Sequence, residues 1–175
     1  MYTPLADEKL TSIMVYGRDK LIRGDVVTKQ SIMVSRWLRT QGAPTYMHIL
    51  RANIISFGAS GLRVSNCEEV YFPVVECLAY HLTPPASDPL DYEPDEQNRL
   101  MQPMTLLAGG FLLSGKLRVS AATDLPTGME GNRLTWLSFY EIEVSNPALP
   151  QMHLQVPMAL INAPVLTFSI GHKAA

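Results

Sequence analysis

The sequence predicts an all-β fold made of two successive copies of one small sheet, and three observations predict it. The first is self-similarity. Residues 12–27 and 103–119 share one plan, an apolar run, a polar turn and a second apolar run broken by glycine. Gly24 matches Gly115, and the same shift pairs Ile13 with Met104, Val15 with Leu106, Leu21 with Leu112 and Val26 with Leu117. Self-similarity at a fixed shift is the mark of a repeated structural unit. The second is strand-like patterning in matching order: residues 46–56 correspond to 135–145 with the register open by one residue, and 72–82 to 160–170. Leu166, Phe168 and Ile170 alternate with Thr167 and Ser169, which is the period of a half-buried strand. The third is the segment between the copies, residues 83–98, where Pro84, Pro85, Pro89 and Pro94 forbid a helix. Its acids Asp88, Asp91, Glu93, Asp95 and Glu96 leave little to bury, so it reads as an extended, solvated connector. The expected units are a first repeat at 1–83, a Pro-rich acidic linker at 84–102 and a second repeat at 103–175.

Composition bounds the rest. At 175 residues each half is near the lower size at which a lone core suffices, so the halves should lean on each other or on another chain. A hydrophobic content of 47% with 17% charged residues suits strands buried on both faces. A net charge of −2 supplies no electrostatic pull toward nucleic acid or an anionic membrane. No apolar run reaches the length of a membrane span, and the start lacks a basic-then-apolar signal segment, so a cytoplasmic location is expected. Cys67 and Cys77, neither in a CxxC pair, read as isolated buried thiols.

In chain order, Pro4 and the following acids suggest a short helical turn at 4–10, then a strand at 11–16, a hairpin turn at 17–20 and a strand at 21–29. Gly24 and Gly115 would suit a bulge where backbones approach closely. Val34, Trp37 and Leu38 fall at i, i+3 and i+4, so residues 31–40 predict one short helix, stopped by Gly42 and Pro44. The second copy has a loop-like stretch, 121–132, in its place. A third strand follows in each half, then turns at 57–61 and 146–150, then two closing strands, 68–75 and 76–82 in the first half and 152–160 and 165–170 in the second. The tail 171–175 is expected to fray.

Five short strands with glycine in the second and a paired β ending resemble a small, strongly bent Sm-like or SH3-like barrel. The first half is also similar to small bacterial β-domains of unknown function. The resemblance implies two tandem barrels whose edge strands pair within the chain or in a homo-oligomer. The RNA-binding residues of Sm proteins do not carry over: residues 28–34 lack the Asp and Asn of their first motif, and no Arg-Gly stands between the last two strands of either half. Arg36 and Arg39, followed by Ser56 and Gly58, resemble in order the cyclic-diguanylate motif of PilZ domains. The arginines are one residue too close, and Ile54 and Ala59 depart from the pattern. Arginine forks and a turn of N–H groups are what a bis-phosphate needs. The competing reading has Arg36 and Arg39 solvating a helix whose Trp37 packs inward.

Chemistry-bearing residues do not converge in the sequence. His48, His81, His153 and His172 are scattered, and Cys77 with His81 supplies two of the four ligands of a structural zinc site. Glu68 and Glu69, and Glu141 with Glu143, read as strand-surface carboxylates. No serine stands in a nucleophile elbow, and Gly58, Ser60 and Gly61, like Gly109 and Gly110, make no phosphate cradle. No catalytic, cofactor or metal residue is therefore assigned. The expected function is a non-enzymatic interaction or assembly protein that self-associates through strand edges, its partner a second copy or another protein. The alternative is a module for a cyclic dinucleotide or single-stranded RNA. Met33, Trp37, Met129 and Trp136 are the residue types a partner surface uses, although core burial is the expected place for each.

Overall fold

The computed structural model describes residues 2–58, 61–131 and 135–170. From Ile22 onward the second strand alternates inward Ile22, Gly24, Val26 and Thr28 with outward or half-covered Arg23, Asp25, Val27 and Lys29, the period-2 pattern that commits a segment to a sheet. Among the described residues ten such strands form: β1 Glu8–Tyr16, β2 Lys20–Lys29, β3 Tyr46–Gly58, β4 Gly61–Pro73, β5 Ala79–Leu82, β6 Arg99–Ala108, β7 Phe111–Ser120, β8 Trp136–Ser145, β9 His153–Asn162 and β10 Thr167–Ser169. All pairings are antiparallel, in one sheet of order β10-β6-β7-β8-β9-β5-β1-β2-β3-β4. The expected all-β class holds, and the halves meet edge to edge through β5 and β9.

Each half lays its strands in one order, β4-β3-β2-β1-β5 and β9-β8-β7-β6-β10. Gly24 faces Ile13 and Gly115 faces Met104, and at both glycines the pairing with the next strand shifts by a bulge. The cause is steric. A methyl at Gly24 would sit 2.8 Å from the Leu50 carbonyl oxygen, and one at Gly115 2.7 Å from that of Tyr140. Across the bulge, Arg51 (φ 51°) and Glu141 (φ 49°) both take the left-handed conformation. With Ile22 paired to Ile54 and Leu113 to Val144, setting Gly24 against Gly115 sets Tyr46 against Trp136, one residue from the expected Thr135.

Several local expectations are corrected. Strand β1 begins at Glu8, inside the stretch expected to turn helically, because residues 8–10 continue the ladder to β2. Residues 34–39 form a 3₁₀ helix that buries Val34, Trp37 and Leu38. The loop-like stretch of the second half contains an α-helix, α1, Leu125–Gly131. Asp124 starts it, its carboxylate accepting from the Thr127 N–H at 2.9 Å, with Pro126 in the first turn where no N–H is required. Strand β6 starts at Arg99, within the range expected for the linker, because residues 99–102 pair with β7.

The pleat of β1 divides its side chains between two cores. Ile13 and Val15 join Ile22, Val26, Trp37, Ile49 and Tyr80, a cluster that also takes in Trp136 and Leu160 from the second half. Met14 and Tyr16 join Leu106, Phe111, Leu113, Phe139 and Ile142. Gly109 (φ +62°) brings the β6–β7 turn so close to the Arg18 backbone that a methyl there would lie 2.3 Å from its carbonyl oxygen. The halves thus lean on each other, as their size required.

Candidate functional site

Two features stand out, the free edges of the sheet and the path of the acidic segment across it. Strand β4 closes one end and β10 the other. Along β4, Leu62, Val64 (64% exposed) and Tyr71 (62%) face solvent. Near the β10 edge Leu107, Val165 and Ile170 do the same. An exposed strand edge flanked by apolar side chains is a template for another strand.

The junction inside the chain shows how such edges are satisfied. Ala79 pairs with Ile161 and Tyr80 with Leu160. Asn162 donates its backbone N–H to the Leu78 carbonyl at 2.8 Å and its side-chain amide to the Cys77 carbonyl at 2.9 Å. Beside it, buried His81 contacts the Leu82 carbonyl through Nδ1 at 2.7 Å, and a carbonyl only accepts, so Nδ1 carries the proton. Nε2 then accepts from the Tyr16 hydroxyl at 2.8 Å. Burial lowers the His81 pKa from 6.5 to about 4, and it raises that of Tyr16, so the pair is neutral at physiological pH.

The segment expected to be solvated is instead pinned. Asp88 accepts from the Ser35 N–H at 2.9 Å, at the start of the 3₁₀ helix. Asp91, its side chain 6% exposed, accepts from Arg39 at 2.7 Å, Ser138 at 2.6 Å and Tyr140 at 2.7 Å. Burial pushes the Asp91 carboxyl up, but these hydrogen bonds and the guanidinium charge outweigh it and hold the carboxyl below its ordinary range. Arg39 also donates to the Trp136 carbonyl at 3.1 Å and the Ser138 hydroxyl at 2.7 Å, so one side chain ties the first half to β8. Glu96 pairs with Arg118 and, at 3.3 Å, with Arg99.

Against this frame of contacts the residues singled out in the sequence disperse. Trp37 and Trp136 are buried, Arg36 is exposed and Met33 partly so. The cleft containing Arg39 is lined by neither Arg36 nor Ser56, and Ser56 lies in β3, paired with Lys20 and Arg63. Cys77 is buried, with its thiol pKa raised by burial, and its sulfur contacts the Ala79 carbonyl rather than His81; Cys67 is half-buried and both thiols are free. Glu141 pairs with Lys116, Glu143 lies 3.6 Å from His153, and Glu69 lies 3.2 Å from His48, which stacks on Tyr71. Glu68 is exposed on β4. Among the described residues no three His, Cys, Asp or Glu side chains converge as a metal site, and no helix is long and apolar enough to cross a membrane. Ser60, His172 and the Met129 side chain lie outside the described residues.

Compared with protein-family models, curated proteins and solved structures, the chain matches none. The site therefore rests on its own geometry. The linker contacts were missed in the sequence because Pro and acidic composition predicts solvation, and the partner groups Arg39, Ser138 and Tyr140 lie far from Asp91 along the chain. The local sequence does not separate Arg39 from Arg36, the exposed cation of the same turn.

Proposed function

We propose that this protein is a non-enzymatic assembly protein that associates head to tail through its two free strand edges, each half being a copy of one small, bent Sm-like or SH3-like β unit. The observation that carries this is the β5–β9 junction. Strand β9 holds in the second half the place β4 holds in the first, and β10 the place of β5. The chain thus already contains one instance of the pairing that β4 and β10 leave open. Transposed onto the free edges, the inner register puts Thr167 opposite Phe72 and Phe168 opposite Tyr71 of a second copy. Such an interface joins two different patches, so repetition gives a ring where the rotation closes and a filament where it does not.

The test is the mass in solution, by sedimentation or light scattering. The wild-type chain should be larger than one copy, and Val64→Lys with Tyr71→Glu, at exposed positions of β4, should return it to single-chain mass with its melting temperature kept. A wild-type chain that stays monomeric at tens of micromolar sinks the proposal. A rise in melting temperature with a cyclic dinucleotide or oligouridine would favour the ligand-binding alternative instead.

A further inference from the structure

In a chain of net charge −2, three guanidinium groups gather in one place. Arg39, Arg99 and Arg118, with Thr123, Ser138 and Tyr140, line a cleft of about 460 Å³ at the meeting of β6, β7, β8 and the approach to α1. The acidic segment lies across it. Asp91 takes Arg39, Ser138 and Tyr140, while Glu96 takes Arg118 and Arg99. Between them Tyr92 sits under the Arg118 guanidinium, 4.8 Å from ring centroid to cation, and meets the Tyr140 ring edge-on at 4.9 Å. A tether needs none of this. A solvated connector leaves its carboxylates in water, whereas here one nine-residue stretch, 88–96, presents two carboxylates and an aromatic ring to two arginine-bearing subsites. Take that stretch away and, among the described residues, Asp124 is the one acid left lining the cleft with the three arginines. Arginine N–H groups on carboxylates and a cation over a tyrosine face are the contacts by which a basic cleft reads an acidic, aromatic peptide.

We propose that this cleft is a recognition site for acidic, tyrosine-bearing peptide segments, with residues 88–96 of the chain as its resident occupant and a like segment in trans as its exchangeable ligand. The tether gives the resident an effective concentration on the order of millimolar, so a segment in trans enters when the resident is weakened. The proposal stands apart from strand-edge association, because the cleft includes neither β4 nor β10.

The test uses the full-length chain and a fluorescent peptide of residues 84–98, read by anisotropy. The Asp91→Asn, Glu96→Gln double variant should bind the peptide at least about tenfold more tightly than wild type does, and raising salt from about 0.05 to about 0.5 M should cost about another tenfold through screening. Adding Arg118→Gln should remove the binding. Should the double variant fail to fold, Tyr92→Ala with Glu96→Gln leaves the buried Asp91 contacts in place and should show the same gain over wild type. No binding to a folded variant, or equal binding of a scrambled peptide of the same composition, overturns the proposal. Repeating the titration with Val64→Lys and Tyr71→Glu present separates it from assembly: binding should persist in the monomer, and its loss there would overturn the claim of an independent cleft.

Discussion

The first and second halves follow one plan at their centres and differ at their rims. At the bulge beside Gly24 Arg51 reaches Asp25, and at the bulge beside Gly115 Glu141 reaches Lys116, an ion pair with its charges exchanged. The geometry demands a left-handed residue and a partner across the bulge, and either sign of charge satisfies it. The outer strands differ in what they expose. Pro157 in β9 stands where β4 has Glu68, and Asn162 stands where β4 has Pro73. Proline donates nothing to a ladder, so β9 offers its edge to β5 only near its end, while β4 is open along its middle and closed at Pro73. A pairing at β4 therefore lacks the counterpart of the Asn162 hydrogen bond, and the outer association should be weaker than the inner junction.

The sharpest way to break the comparison is steric. Gly24→Val and Gly115→Val should each destabilise the chain by about 3 kcal/mol or more in urea denaturation, since the new side chain meets a backbone carbonyl that cannot swing aside. A large loss at one glycine with tolerance at the other would show that the two bulges are not equivalent.

The buried histidine gives the first half an acid response that the second cannot copy, because Ser169 stands where the first half has His81. Folding holds the His81 pKa near 4 against 6.5. Below 6.5 the unfolded chain takes up a proton that the folded chain refuses, so stability falls as pH drops from 6.5 to about 4 and the contribution levels off beneath that. The loss from this group should approach ~3 kcal/mol, and His81→Gln should flatten the profile over the same window. An unchanged profile would place the titrating group elsewhere.

Between the halves, Asp91→Asn should cost about 2 kcal/mol, since it leaves Arg39 without its carboxylate in a half-buried setting. Asp91 is held below its ordinary pKa, so its contribution is present above about pH 4 and lost as pH falls through the folded value. In Asp91→Asn that acid-side loss should be absent. The smallest effect belongs to the bulge ion pairs. Arg51→Glu should cost less than about 1 kcal/mol, and Asp25→Lys added to it should restore most of that, reproducing the arrangement of the second half. A double variant no better than the single would mean that the charges do not interact.

Strand position was legible in β2, where buried and less buried residues alternate from Ile22 onward, and the glycine bulges were legible because only a missing side chain fits two backbones in contact. Helix α1 was hidden by Gly128 and Pro126, residues that mark loops on average but serve a seven-residue helix whose proline lies in the first turn. The site was less legible than the fold. Arg39 reads as a solvated cation by its local spacing, and its role appears only when Asp91, Ser138 and Tyr140 are brought to it from distant parts of the chain.

Local pattern was enough to set the strand class and the two glycine bulges, since each depends on residues close in sequence or on the size of one side chain. Tertiary contact alone decided that the halves share one sheet through β5 and β9 and that the acidic segment is held rather than free. Both depend on groups far apart along the chain, whose meeting is set by the packing of two cores against a common strand and leaves no periodic trace in the sequence.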